Sequence, residues 1–154
     1  MKTDSRLLNP EKIDPLELVI ERAVRFEELD PMGIMWHGRY ASWFEDGREA
    51  FGRRYGVSYL DFYRHDFMAP VKQFSVDYRR PLMHSTTYFI HTRMLWSEAA
   101  RMDFQYLIKD EKGAIMTKAS TVQLFTDMKG ALQLDHPAFY KAFLLKWKNG
   151  EFHR

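Results

Sequence analysis

Asp30 and His37 are the residues of this 154-residue chain whose types and positions best suit catalysis. Asp30 opens the segment Asp30-Pro31-Met32-Gly33, whose residue types match a type I turn, and His37 stands where a helix is predicted to begin. Free N–H groups at a helix N-terminus favour negative charge. They could hold the oxyanion of a carbonyl under attack, while Asp30 attacks directly or delivers water. A thioester would suit this site, because a thiolate leaves with little acid assistance. An Asp in such a turn, however, is usually only a turn former.

An aromatic helix follows this turn. Its apolar positions recur at steps of three or four residues: Trp36, Tyr40, Phe44, Gly47, Phe51 and Tyr55. Charged residues fall largely on the other faces, and Gly56 stands where a helix C-terminus often requires a positive φ. A stripe this aromatic predicts a helix that is largely enclosed, and a curved sheet would enclose it.

Five segments have the alternating pattern of strands with one buried face. They run from Leu16 to about Phe26, from Phe74 to Tyr78, from Tyr88 to Trp96, from Met102 to Ile108 and from about Ile115 to Thr126. Arg22 interrupts the apolar side of the first. Asp110 to Gly113 has the composition of a hairpin loop. A terminal helix is predicted from Asp135-His136-Pro137 onwards, with Phe139, Phe143 and Trp147 four residues apart. Short connections imply an antiparallel sheet with the aromatic helix on its concave face, an α+β fold.

Composition excludes several functions. The absence of cysteine rules out disulfides, thiolate nucleophiles and cysteine-based zinc sites. The net charge of +2, without a polybasic run, disfavours nucleic-acid binding. No apolar run approaches the ~20 residues that span a bilayer, and the polar N-terminus does not resemble a secretory signal, so we expect a cytoplasmic protein. The six histidines are dispersed without ligand spacing, and no serine has a nucleophile-elbow context. Neither a metal nor a cofactor is expected.

The segment from Asp30 to Arg48 resembles the signature of hotdog-fold acyl-CoA thioesterases, in the branch that includes 4-hydroxybenzoyl-CoA thioesterase. The matching positions are Asp30, Gly33, Ile34, Met35, Trp36, His37 and Tyr40, followed by Phe44, Glu45 and Arg48. The similarity covers roughly residues 18–137. It implies a single hotdog domain over residues 1–154 with its core at about 16–137: a curved five-stranded antiparallel sheet wrapped around one long central helix, plus a short C-terminal helix.

The resemblance also implies roles for individual residues. Asp30 matches the catalytic aspartate, acting as nucleophile or general base. His37 occupies the position whose backbone N–H polarises the thioester carbonyl. The positions expected to bind substrate are Gly33, Trp36, Tyr40, Glu45 and Arg101. Glu45 has an alternative, which we favour, as a structural partner for Arg48.

The substrate and the assembly stay open at this point. The expected partner is an acyl-CoA or acyl carrier protein thioester, with Arg79, Arg80 and Lys118 as further candidates to bind coenzyme A phosphates. Hotdog dehydratases share the fold, but their His-plus-acid helix signature is not evident. A hotdog module that binds acyl groups without turnover is a second class of function. Such families form homodimers or homotetramers with active sites at subunit boundaries.

Overall fold

The computed structural model describes residues 13–153. The strands are β1 (Leu16–Ala23), β2 (Phe67–Met68), β3 (Val71–Tyr78), β4 (Thr87–Leu95), β5 (Arg101–Lys109), β6 (Ile115–Leu124) and β7 (Thr126–Asp127), and the α-helices are α1 (Tyr40–Tyr55), α2 (Tyr59–Arg64) and α3 (Ala138–Lys148). Five strands form one antiparallel sheet in the order β1-β4-β5-β6-β3, and β2 pairs with β7. The predicted hotdog architecture, with its early central helix and short terminal helix, is confirmed.

Helix α1 packs its aromatic face against the sheet. Trp43, Phe44 and Phe51 are almost completely buried, and their rings contact aromatic residues of the sheet such as Phe104. The helix lies very close to the sheet at Gly47, where a Cβ atom would stand 2.2 Å from Thr92 Oγ1. Glycine is therefore needed at this position for close packing. Gly56 ends the helix with a φ of 76°, as its position predicted.

The sheet has two edges of different character. β1 begins with the buried Leu16 and then alternates exposed and half-buried residues. β3 is exposed along almost its whole length, although Val71, Phe74 and Tyr78 are large apolar side chains. An exposed edge strand with unpaired backbone groups and apolar side chains can pair with a strand of another chain.

Several boundaries differ from the sequence prediction. The first strand ends at Ala23 instead of Phe26, because the chain turns into a short 3-10 helix, Phe26–Glu28, which ends two residues before Asp30. α2, which Ser58 caps, lies between the aromatic helix and the second predicted strand. β2 and β7 were not predicted, since two-residue strands have no periodicity to detect. No helix among residues 13–153 is long and apolar enough to cross a membrane.

Candidate active site

Asp30 lies in a tight turn whose backbone fixes the position of its carboxylate. Gly33 N–H donates to Asp30 O at 3.0 Å, and Gly33 has a φ of 77°, in the region that favours glycine. The Met32 N–H donates to Asp30 Oδ1 at 2.8 Å. Oδ2 accepts no hydrogen bond from residues 13–153. The half-buried carboxylate therefore has one anchored oxygen and one oxygen available to a substrate or a water molecule.

The entry to α1 presents backbone donors beside this carboxylate. A single 3-10 turn, His37–Arg39, precedes the α-helix. The Trp36 N–H donates to Glu28 O at 2.8 Å and the Arg39 N–H donates to Trp36 O at 2.9 Å. Between them, the N–H groups of His37 and Gly38 donate to no acceptor within residues 13–153. These are the donors that an oxyanion would need, and the helix dipole reinforces them.

A cavity of about 300 Å³ contains Asp30 and His37 together. We call it the Asp30 cavity. Its remaining lining residues are Met32, Ile34, Met35, Tyr40, Tyr78, Arg79, Arg80 and Pro81. The Tyr78 hydroxyl donates to His37 O at 3.2 Å, and the Tyr78 ring packs edge-on against Tyr40 at 4.7 Å. Burial raises the pKa of Tyr40, despite hydrogen bonds that oppose the change, so this phenol is a neutral wall of the cavity.

Two arginines give the Asp30 cavity a positive rim. The backbone N–H groups of Arg79 and Arg80 both donate to Met116 O, which fixes the chain where β3 ends. The Arg79 side chain pairs with Asp77 at 3.1 Å. Arg80 forms no salt bridge within residues 13–153. Arg79 and Arg80, which the sequence offered as phosphate-binding candidates, line the same cavity as Asp30, whereas Lys118 lies on the outer face of the sheet.

Glu28 is a supporting residue that sequence reasoning missed. Its side chain is only 3% exposed. It accepts hydrogen bonds from Arg22 Nη2 at 2.8 Å, Trp43 Nε1 at 2.9 Å and the Arg25 N–H at 3.0 Å. Arg22 also pairs with Asp46 on α1 at 2.6 Å. This network ties the loop before Asp30 to both β1 and α1. The sequence feature that could have indicated this network is Arg22, because a charged residue on the apolar side of β1 calls for an acidic partner.

The other predicted substrate-binding residues lie outside the Asp30 cavity. The Trp36 ring covers Gly38, where an added Cβ would stand 2.4 Å from the ring, and is tilted against His37. Glu45 pairs with Arg48 on the same helix, in agreement with the structural alternative. Arg101 pairs with Asp103. That pairing raises the Arg101 pKa above its ordinary value, but the guanidinium lines none of the cavity around Asp30.

Comparison with known proteins decides the family. The family model of the thioesterase-like superfamily matches residues 24–147. The chain belongs to this superfamily. A Bacillus subtilis (strain 168) protein named "Putative acyl-CoA thioesterase YneP" is 29% identical over 123 residues, which cover 80% of this chain and 87% of that protein.

Two solved structures have the same fold. A DHNA-CoA thioesterase from Staphylococcus aureus superimposes with a TM-score of 0.74 at 26% identity, covering 88% of this chain and 94% of its own. Slr0204, a 1,4-dihydroxy-2-naphthoyl-CoA thioesterase from Synechocystis, superimposes with a TM-score of 0.73 at 16% identity, covering 83% of this chain and 96% of its own. At that identity the second match shows the fold alone. The resemblance to hotdog thioesterases is thereby confirmed at the level of family and fold.

Proposed function

We propose that this protein hydrolyses acyl-CoA thioesters to a free acid and coenzyme A, with Asp30 as the catalytic carboxylate. One observation carries the proposal: Asp30 shares a cavity with a helix N-terminus whose His37 and Gly38 N–H groups have no protein acceptor. Membership of the thioesterase-like superfamily supports the same chemistry, as does the similarity to a relative named as an acyl-CoA thioesterase.

The reaction follows from this arrangement. The thioester carbonyl oxygen receives hydrogen bonds from the two free N–H groups, which stabilise the negative charge that develops on it. As a general base, Asp30 takes a proton from the water molecule that attacks the carbonyl carbon. As a nucleophile, Asp30 forms a mixed anhydride that water then hydrolyses. In both cases the C–S bond breaks, the electron pair leaves with sulfur, and the proton removed from water ends on the thiolate.

The charged rim of the cavity favours coenzyme A as the thiol. Phosphates are bound by guanidinium groups, and Arg80 is the rim cation without a salt bridge within residues 13–153. Arg79 lies next to it but shares its charge with Asp77. We therefore assign Arg80 to the phosphates of the substrate.

The active unit is a homodimer that pairs through β3. This strand is the edge that exposes three large apolar side chains, Val71, Phe74 and Tyr78. The Asp30 cavity lies at its C-terminal end and includes Tyr78. A partner strand added at this edge would cover the apolar side chains, pair the free backbone groups and lie beside the cavity.

A hydrolysis screen tests the proposal. Purified protein would be offered short, long and aromatic acyl-CoAs, one acyl carrier protein thioester and the corresponding oxygen esters, with free thiol or acid as the readout. We expect thiol release from at least one acyl-CoA, with no comparable turnover of oxygen esters. Turnover restricted to the carrier protein thioester would show that coenzyme A is the wrong thiol. Tight acyl-CoA binding without hydrolysis would show a binding module instead.

A further inference from the structure

Tyr78 connects the edge of the sheet to the peptide group at the entry to α1. It is the last residue of β3, and its hydroxyl donates to His37 O at 3.2 Å. That carbonyl belongs to the same peptide unit as the Gly38 N–H, one of the two N–H groups that donate to no acceptor within residues 13–153. Tyr78 thus binds the peptide unit whose N–H is assigned to the thioester oxygen.

A hydrogen bond to the carbonyl of a peptide unit fixes the direction of its N–H. The unit is planar and trans, so its C=O and N–H bonds point in opposite directions. While the Tyr78 hydroxyl holds the C=O bond, the plane cannot rotate and the Gly38 N–H keeps its direction. The same hydrogen bond polarises the unit, because hydrogen bonds in a chain strengthen one another. The Gly38 N–H therefore becomes a better donor to an oxyanion.

Gly38 is a residue at which such a restraint matters. An added Cβ would stand 2.4 Å from the Trp36 ring, so the ring can lie over residue 38 only because that residue is glycine. The φ of Gly38 lies outside the left-handed region, so the ring and not the backbone requires glycine. Glycine also has the freest backbone of all residues, and Gly38 is exposed. The Tyr78 hydroxyl supplies a restraint on this peptide that a side chain at residue 38 cannot give.

The Tyr78 ring is itself held in place. The backbone of Tyr78 pairs with Thr117 of β6, and its ring packs edge-on against the Tyr40 ring with a centroid distance of 4.7 Å. Tyr40 is only 3% exposed. The hydroxyl therefore reaches His37 O from a ring with restricted movement, and donors that are fixed before the substrate arrives stabilise an oxyanion most effectively.

We propose that Tyr78 is a positioning residue for thioester hydrolysis: its hydroxyl holds the His37–Gly38 peptide so that the Gly38 N–H points at the thioester oxygen. The hydroxyl proton stays in the hydrogen bond to His37 O, so Tyr78 takes no part in proton transfer to the departing sulfur. This inference rests on the proposed acyl-CoA hydrolysis.

Tyr78→Phe tests the role in turnover, because it removes the hydroxyl and keeps the ring. We expect kcat to fall about ten-fold with KM within about two-fold of the wild type, since a hydrogen bond behind the oxyanion donor is lost. The shape of the pH profile of kcat should not change. Tyr55→Phe is the control, because it removes a hydroxyl that donates to Glu17 O outside the Asp30 cavity, and it should keep wild-type kcat. A wild-type kcat for Tyr78→Phe, or a changed alkaline limb of its pH profile, would overturn the positioning role.

Two nonhydrolysable probes separate this inference from the proposed function. S-(2-oxononyl)-CoA and S-nonyl-CoA differ only in the carbonyl oxygen that the N–H groups would bind. The wild type should bind the ketone about ten-fold more tightly, and Tyr78→Phe should bring that ratio towards one without weakening S-nonyl-CoA. This result without hydrolysis of any acyl-CoA supports the positioning of the donors by Tyr78 and rejects the proposed hydrolysis. A wild type that does not prefer the ketone, or a preference that Tyr78→Phe leaves unchanged, rejects the inference alone.

Discussion

A carboxylate works as a base or nucleophile only when its surroundings hold it in place, and Glu28 provides that support for Asp30. Glu28 is two residues before Asp30 and joins the loop to Arg22 and Trp43 through buried hydrogen bonds. A buried acid with three donors contributes to the position of the loop as well as to stability, because removing its charge leaves donors without acceptors.

We predict that Glu28→Gln destabilises the protein by about 2 kcal/mol, since the new amide NH₂ must face a donor such as Arg22 or the Arg25 N–H. Chemical denaturation would measure the change, and kcat should fall with it as the loop shifts. Glu27→Gln is the matched control, because Glu27 is exposed and its ion pair with Arg25 is long. Equal stability of the two variants would show that the Glu28 network has no structural role.

Arg80 can be tested with a truncated substrate. Arg80→Ala is expected to raise the KM for an acyl-CoA about ten-fold, because a charge-assisted contact with phosphate is lost. The KM for the matching acyl-pantetheine, which has no phosphate, should stay as in the wild type. Arg64→Ala, an exposed arginine on α2 that pairs with Asp61, is the control. A similar rise for both substrates would place Arg80 at the acyl group or in the fold instead of at the nucleotide.

At this scale the sequence located the residues that line the Asp30 cavity better than the residues that support them. Asp30, His37 and Tyr40 were identified from one local motif, and the structure groups all three in one cavity. Glu28 and Tyr78 were not identified, because their importance depends on neighbours that are far away in sequence. Trp43 donates to Glu28 across fifteen residues, and His37 accepts from Tyr78 across forty-one.

The helices and strands with one buried face lie close to where the sequence pattern predicted them. α1 and the strands β4 and β5 had clear periodicity and lie where they were predicted. β3 was predicted from its alternation, but its exposure could not be foreseen. Phe74, Val76 and Tyr78 have the pattern of a half-buried strand, yet the single chain leaves Phe74 and Tyr78 about half exposed. A pattern shows that a face is to be covered, but not whether this chain or a second copy covers it.

Helix α2 offers a pH-dependent test of local structure. Ser58 caps the helix, and Asp61 accepts hydrogen bonds from the Ser58 N–H and hydroxyl groups. Burial raises the pKa of Asp61, but these hydrogen bonds outweigh it and hold the pKa below the ordinary value of 3.8. The charged form therefore stabilises the fold above that ordinary value, and the stabilisation is lost as the pH falls through the lower pKa of the folded state.

We predict that Asp61→Asn lowers the free energy of unfolding by about 1 kcal/mol at neutral pH. The difference from the wild type should shrink as the pH falls below about 4, where Asp61 itself becomes neutral. Urea titrations over a pH series would measure both. Glu111→Gln, at an exposed hairpin position, should show no such difference. A gap between Asp61→Asn and wild type that is independent of pH would show that the carboxylate charge is irrelevant to the cap.

We expect the protein to act as a homodimer, and a substitution at the β3 edge of the sheet can disrupt the dimer contact. Ser75 lies in the middle of β3, opposite Ser120 of β6. Ser75→Lys would bring two like charges together near the two-fold axis of a β3 dimer. We predict a mass near that of one 18.4 kDa chain by light scattering, together with loss of acyl-CoA hydrolysis.

Ser120→Lys is the control for this variant. It adds the same charge on the same face of the sheet but one strand further from the edge. It should remain at least dimeric and active. Dissociation to monomers by Ser120→Lys, with Ser75→Lys still associated, would place the dimer contact on the outer face of the sheet.

The most direct test of the account replaces Asp30 by Asn and measures both turnover and binding. The amide keeps the shape of the turn but can neither accept a proton from water nor attack a carbonyl. We predict a fall in kcat of about a thousand-fold, with the dissociation constant for the acyl-CoA within a few-fold of the wild type and the thermal stability retained. Asp77→Asn, an exposed acid on β3 whose carboxylate pairs with Arg79, should keep wild-type kcat. An Asp30→Asn variant that hydrolyses acyl-CoA at the wild-type rate would contradict the account.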